Sequence, residues 1–264
     1  MTLASAESLD RLLQIMARLR DPERGCAWDR AQSFATIAPY TIEEAYEVAD
    51  AVARDDLAAL KDELGDLLLQ VVFHARIAEE AGHFAFAEVA EAIAAKMEAR
   101  HPHIFGDSAA DSSQERAWEN LKAQERAASG ATSALDGVAL ALPALLRAEK
   151  LQKRATRVGF DWPDTAGPAA KLSEEMAELA AAETTQDRAE EAGDLLFAAV
   201  NLVRAHGIAA EEALRAANAK FERRFRAMEA LAQTAGQSFA ALSLDEQEAL
   251  WQAVKAREKS LPDG

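Results

Sequence analysis

The sequence predicts an all-α protein built as a tandem repeat of one helical-bundle unit. Three observations carry that prediction. Ala, Leu, Glu, Arg, Lys and Gln dominate the 264 residues, while Val, Ile, Tyr and Thr are sparse, which is the composition of strong helix formers. Apolar residues recur at helical spacing, and no stretch alternates as a convincing strand. Finally, four blocks of the first half return in the same order in the second. Glu44/Glu47, Glu63/Asp66, Lys96/Arg100 and Trp118 with Lys122 are matched by Glu175/Glu178, Glu191/Asp194, Lys220/Arg224 and Trp251 with Lys255. Four blocks kept in order at a nearly constant separation indicate duplication rather than chance.

In the first copy, residues 7–20 form an amphipathic helix with Leu9, Leu12, Leu13, Met16 and Leu19 on one side, stopped by Asp21-Pro22 to Gly25. A loop from Cys26 leads to Pro39. A helix from Thr41 carries Glu44 and Glu47, Arg54-Asp55-Asp56 breaks it, and the next helix carries Glu63, Asp66 and the apolar run Leu67 to Phe73. Gly82-His83-Phe84 ends that helix, and residues 87–100 make another. Residues 107–114 read as a loose loop. The small, polar stretch from 127 reads as a linker, so the expected division is 1–126, a linker over 127–139, and 140–264. Each copy has few helices to cover such apolar runs, so each is expected to bury a face against another copy, in this chain or in a second one.

The second copy centres on residues 171–201. Glu175 with Glu178, and Glu191 with Asp194, are spaced i, i+3, so each pair shares a helix face. Thr184-Thr185-Gln186 makes a turn, with Thr184 and Asp187 as a capping-box start. Two antiparallel helices joined there would bring four carboxylates together. A solvated acidic face is the ordinary alternative. Against it, Asn201 continues the Glu191–Asp194–Ala198 stripe into an apolar run, and Gly193, costly in a helix, suggests close backbone approach. Four partly buried carboxylates need a counter-charge, and all-oxygen ligands favour Mg²⁺, Mn²⁺ or Ca²⁺ over zinc.

Lys220 and Arg224, i, i+4 on one helix, are suited to clamp phosphate oxygens, with a salt-bridged solvated face as the alternative. Phe221 and Phe225 read as core, and Trp251 with Lys255 form a further i, i+4 pair. The chain lacks a Gly-rich phosphate loop and an HExxH motif, and no acidic pair has the His partner that di-iron bundles need. A net charge of −16 argues against nucleic-acid binding. One cysteine, Cys26, allows no intramolecular disulfide, and neither a membrane-length apolar run nor a signal peptide is visible, so a cytoplasmic protein is expected.

These residues resemble the MazG family of nucleoside triphosphate pyrophosphohydrolases in its two-domain form. The acidic pattern ExxE, spacer, ExxD occurs in both copies. GCAWDRAQSF, APYTIEEAYEV, DELGDLLLQVVFHA and RHPHIFGD look like the first domain, and SALDG, LPALLRAEKLQKRA, VGFDW and NAKFERRF like the second. Ala27 and Ser33 depart from the usual Pro and Thr. The resemblance implies an all-α, homodimeric, Mg²⁺-dependent enzyme, with Mn²⁺ substituting, that cleaves nucleoside triphosphates of any base to monophosphate and pyrophosphate. It implies that the second domain is the active one, with Glu175, Glu178, Glu191 and Asp194 as metal ligands and Lys171, Lys220, Arg224, Trp251 and Lys255 as nucleotide contacts, Glu175 lying beside the nucleotide as well. Asp187 with Arg188 stands where some relatives have a Lys. Glu174 or Glu190 would accept a proton from the attacking water.

The copies differ around the motif. Asn201, Asn218 and Lys171 correspond to Phe73, Ala94 and Tyr40, so the first copy lacks polar groups on the side where a nucleotide would lie. A house-cleaning dNTP pyrophosphatase resembling a dUTPase, and a non-enzymatic nucleotide-binding helical scaffold, remain the alternative readings.

Overall fold

The computed structural model describes residues 3–106 and 130–260. The described residues form eleven α-helices and one 3-10 turn, with no strand. The chain divides into two compact units, Met1–Leu121 and Lys122–Gly264.

The first unit opens with α1 (Leu3–Leu19), longer at its start than the apolar pattern predicts. The turn after it requires Gly25, where a Cβ would collide with the carbonyl oxygens of Leu19 and Asp21. The loop expected from Cys26 to Pro39 is instead largely helical. A short α2 (Ala27–Ala31) is followed by α3 (Phe34–Ala53), which carries Pro39 inside it. Ser33 makes this possible. Its side chain accepts from the Thr36 backbone while the Thr36 hydroxyl accepts from the Ser33 N–H at 2.8 Å, a reciprocal cap that starts the helix before the proline. Arg54 to Asp56 breaks the chain as expected, with Asp55 at φ 54°. Asp56 caps α4 (Leu57–Glu80), accepting from the Ala59 N–H at 3.0 Å. Then come α5 (Phe86–Arg100) and α6 (Pro102–Phe105).

α3 and α4 pack along their length, and α1 and α5 lie against α4. The core between them is Met16, Ile37, Val72, Phe73 and Ile77. Arg20 closes one end. It is 9% exposed, and its guanidinium donates to both Glu80 carboxylate oxygens at 2.7–3.1 Å. It also lies 5.4 Å from the Phe73 ring centroid. Burial raises the Glu80 pKa, but hydrogen bonds from Arg20 and Arg76 outweigh that and hold the carboxyl below its ordinary value.

The second unit contains α7 (Ala144–Thr156), α8 (Ala166–Ala181), α9 (Thr185–Ala205), α10 (Ala210–Thr234), a 3-10 turn (Phe239–Ala241) and α11 (Leu244–Ser260). α8 and α9 form the closest pair, α7 packs across α9 and α10, and α11 lies along α10. The N-terminus of α10 is tied to α7, because Glu149, 4% exposed, accepts the Ala210 N–H at 3.1 Å. No helix among the described residues is long and apolar enough to cross a membrane. The loop expected over 107–114 and the Trp118–Lys122 block lie outside the described residues.

Candidate active site

The hairpin of α8 and α9 builds the site. α8 ends at Ala181, and Thr184 starts α9 with the capping box read from the sequence: its hydroxyl accepts from the Asp187 N–H at 3.1 Å, and the Asp187 carboxylate accepts from the Thr184 N–H at 3.3 Å. The turn sets Glu175 and Glu178 on α8 against Glu191 and Asp194 on α9. One carboxylate oxygen each from Glu175, Glu178 and Glu191 lie within 4.8 Å of one another. Asp194, one turn beyond Glu191, lines the adjoining cavity together with Glu175. Burial raises the Glu191 pKa, and the charges of Glu178, Glu175 and Asp194 push it the same way. Such mutual repulsion is relieved by a cation, and all-oxygen donors suit a hard divalent one.

Lys171 supplies part of the counter-charge, donating to Glu174 at 2.9 Å and to Glu175 at 2.7 Å. These bonds hold the lysine firmly protonated, with its pKa well above the ordinary value. Glu175 is 4% exposed and Asn201 8%. The close backbone approach expected at Gly193 is absent: among the described residues a Cβ there would meet nothing within 4 Å, as at Gly65. Both glycines lie on uncovered parts of their helices.

A cavity of about 570 Å³ opens beside the carboxylates, a size that holds a nucleotide-sized ligand. Its walls include Phe160, Trp162 and Phe197, and Lys171, Glu175 and Asp194 stand among its polar groups. A fixed chain of polar contacts runs along it. Arg204 donates to Asp161 at 2.7 and 3.1 Å and to Asn201 Oδ1 at 2.6 and 3.0 Å, and the Thr156 hydroxyl donates to Asp161 at 2.9 Å. The hydrogen bond from Arg204 is the main reason that the Asp161 carboxyl is held below its ordinary pKa.

The second group of expected residues stands on α10 and α11. Arg224 pairs with Glu258 at 2.7 Å and lies 5.4 Å from the Trp251 ring centroid. Lys220 is exposed nearby, Asn218 is exposed two residues before it, and Lys255 is half-buried. Phe221, expected in the core, is 58% exposed and packs on Phe225 and Trp251, at a face of α10 lined by α11 and by Phe239 of the 3-10 turn. No described contact joins this group to the four carboxylates. Arg188, one helical position past Asp187, donates to the Ala182 carbonyl at 3.2 Å.

The first unit holds an equivalent cluster in which Glu44, Glu63 and Asp66 converge within 4.8 Å. Burial raises the pKa of Glu44, and Asp66, Glu47 and Glu63 raise it further. The surroundings differ. Phe73, in the place of Asn201, is buried in the apolar core. Tyr40, in the place of Lys171, is exposed and edge-on to Trp28.

Sequence reasoning assigned no role to Gln152, Phe160, Asp161, Trp162 or Arg204. The only signal was family text, since VGFDW and LPALLRAEKLQKRA contain four of them. Spacing along one helix cannot reveal a cavity wall assembled from α7, a loop and α9.

Comparison with known proteins agrees with this geometry. Residues 32–105 match the MazG nucleotide pyrophosphohydrolase domain, and residues 149–221, which contain the four carboxylates of the second unit, match phosphoribosyl-ATP pyrophosphohydrolase. The chain is 52% identical over 261 residues to the nucleoside triphosphate pyrophosphohydrolase of Escherichia coli (strain K12), covering 96% of this chain and 99% of that protein. It is 41% identical over 251 residues to the nucleoside triphosphate pyrophosphohydrolase/pyrophosphatase MazG of Thermotoga maritima, covering 95% and 97%. A relative from Mycolicibacterium smegmatis with the same description as the Escherichia coli protein is 37% identical over 154 residues, 57% of this chain. Likeness at this level over nearly the whole of two relatives, with both acidic clusters assembled, places the chain in the MazG family of nucleotide pyrophosphohydrolases.

Proposed function

We propose that this chain hydrolyses nucleoside triphosphates to nucleoside monophosphate and pyrophosphate, using Mg²⁺, and that its second unit does the work. The observation that carries this reading is the convergence of Glu175, Glu178 and Glu191 at the edge of a cavity that also contains Asp194, Lys171 and aromatic walls. Both matched families are described as pyrophosphohydrolases, which fits removal of pyrophosphate from a nucleotide.

Glu175, Glu178, Glu191 and Asp194 would hold the metal, with Mn²⁺ able to substitute. Bound Mg²⁺ makes water more acidic and draws charge from phosphate oxygens. Water adds to the α-phosphorus as Glu174 or Glu190 takes its proton, the bond to the bridging oxygen breaks, and pyrophosphate leaves. Lys171 steadies Glu175 and adds positive charge on the phosphate side. Lys220 and Arg224 offset charge on the leaving pyrophosphate, Arg224 exchanging Glu258 for phosphate oxygens. Asn218, Trp251 and Lys255 flank that clamp.

We assign 1–126 to a non-catalytic first domain, 127–139 to a linker and 140–264 to the catalytic domain. The working form is a homodimer. Met176, Leu196, Phe197 and Phe221 are each more than a third exposed in a unit with a small apolar core, which supports burial against another copy.

The test is product analysis of a mixed nucleoside triphosphate digest with and without EDTA. Monophosphates and pyrophosphate should form, stop with chelator and return with Mg²⁺. Diphosphates and orthophosphate as products, or full activity in excess EDTA, would contradict the reading.

A further inference from the structure

We propose that Glu258 competes with phosphate oxygens for Arg224, and so sets how tightly the clamp of α10 and α11 holds a triphosphate and how readily it releases pyrophosphate. This rests on the reading that Lys220 and Arg224 clamp the phosphates of a nucleotide.

Three cations surround this one carboxylate. Arg224 Nε donates to Glu258 Oε2 at 2.8 Å, and Arg224 Nη2 lies 2.7 Å from the same oxygen. Arg223 Nε stands 3.7 Å from Oε1. The hydrogen bond from Arg224 is the main reason that the Glu258 carboxyl is held below its ordinary pKa, and the charges of Arg223 and Lys220 push it the same way. Glu258 is therefore ionised at neutral pH. Its charge lies among the cations that would meet a phosphate chain.

Trp251 and Glu258 are seven residues apart on α11, two helical turns, so they share a face. Both reach Arg224. The guanidinium carbon lies 5.4 Å from the indole centroid, while Glu258 takes the Nε and Nη2 donors. Two adjacent guanidinium donors are the arrangement that holds phosphate oxygens best. The carboxylate thus occupies the donors that the substrate needs.

A clamp closed on its own carboxylate is open for only part of the time, and apparent affinity for any ligand falls by that fraction. The side chains of Arg224 and Glu258 are 19% and 30% exposed, so solvent screens the pair in part. The competition should weaken phosphate binding by about three- to tenfold. An intact triphosphate makes enough further contacts to displace Glu258. Pyrophosphate, cut from its nucleoside, makes fewer, and return of Glu258 to Arg224 favours its release.

The test titrates inorganic pyrophosphate, with excess Mg²⁺ and no nucleotide, into the wild-type chain and into Glu258→Gln by calorimetry. The amide keeps the shape of the side chain and removes its charge. The variant should bind pyrophosphate about three- to tenfold more tightly, and its KM for ATP should also fall. Removing any negative charge favours anions on a chain of net charge −16, so the same substitution is also made in Arg224→Ala. There it should change pyrophosphate affinity by less than about twofold, because the contact through which Glu258 acts is gone. Unchanged or weaker binding by Glu258→Gln, the result of a merely structural carboxylate, would overturn the proposal. An equal gain with Arg224 absent would overturn it too. Glu258→Ala decides in the same way if Glu258→Gln fails to fold by circular dichroism, and failure of both to fold shows a structural carboxylate and overturns the proposal. Tighter pyrophosphate binding with no hydrolysis of ATP by either chain removes the pyrophosphohydrolase reading and leaves the competition standing. Hydrolysis of ATP with unchanged pyrophosphate affinity does the reverse.

Discussion

Asp161→Asn should loosen the cavity wall without touching the carboxylate cluster. The substitution keeps the shape but replaces one of two oxygens with an NH₂ that faces a donor, and it removes the charge. In the native chain Arg204 holds Asp161 at 2.7 and 3.1 Å, with side-chain exposures of 11% and 26%. A hydrogen bond to a charged group contributes roughly 1.5–3 kcal/mol. Partial exposure of Asp161 places this one at the lower end, so about 1–2 kcal/mol of stability should be lost. The sign with pH follows from the Arg204 hydrogen bond, which depresses the folded-state pKa of Asp161. Its contribution is complete above the unfolded value of about 3.9 and disappears as pH falls through the lower folded value. Urea midpoints followed by circular dichroism should therefore differ between wild type and variant from pH 5 to 8, and converge in acid. Asn201 also loses its anchor through Arg204, so KM for ATP should rise several-fold. Identical midpoints and KM at neutral pH, or a gap that persists undiminished at pH 2–3, would refute this account of the network.

The phosphate clamp predicts that Lys220→Ala and Arg224→Ala each lower kcat/KM by at least about tenfold, since a charge-assisted contact is worth roughly 1.5–3 kcal/mol. Wild-type rates in both would return them to a solvated face. In the first unit, Glu80→Gln leaves the buried Arg20 without its carboxylate and should cost about 1–3 kcal/mol, less than a fully buried pair because Glu80 is partly exposed. Thermal unfolding monitored by circular dichroism checks this, and an unchanged transition would show that the pair contributes nothing net.

Helix positions, the repeat and the convergence of Glu175, Glu178 and Glu191 were legible in the sequence because each depends on local spacing, while Asp194, expected with them, lines the adjoining cavity. Glu175/Glu178 and Glu191/Asp194 each share a face by periodicity alone, and Thr184 with Asp187 marks the turn that brings the pairs together. The start of α3 was not legible, because Pro39 is the loudest local signal and the Ser33–Thr36 cap overrides it. Phe221 misled for a different reason. Its spacing from Phe225 is that of a core pair, but whether a helix face is covered depends on packing between helices. The Gln152, Asp161 and Arg204 side chains come from separate segments, so only the folded chain brings them to one cavity.

The central claim is that the second unit catalyses and the first does not, although both assemble an acidic cluster. Glu63→Gln and Glu191→Gln, made separately and assayed for pyrophosphate release at saturating Mg²⁺, test it most directly. Each removes one carboxylate from a converging trio, Glu44–Glu63–Asp66 or Glu175–Glu178–Glu191. With both variants folded by circular dichroism, Glu191→Gln should lose nearly all activity and Glu63→Gln should keep most of it. Equal losses, or the reverse order, would contradict the assignment.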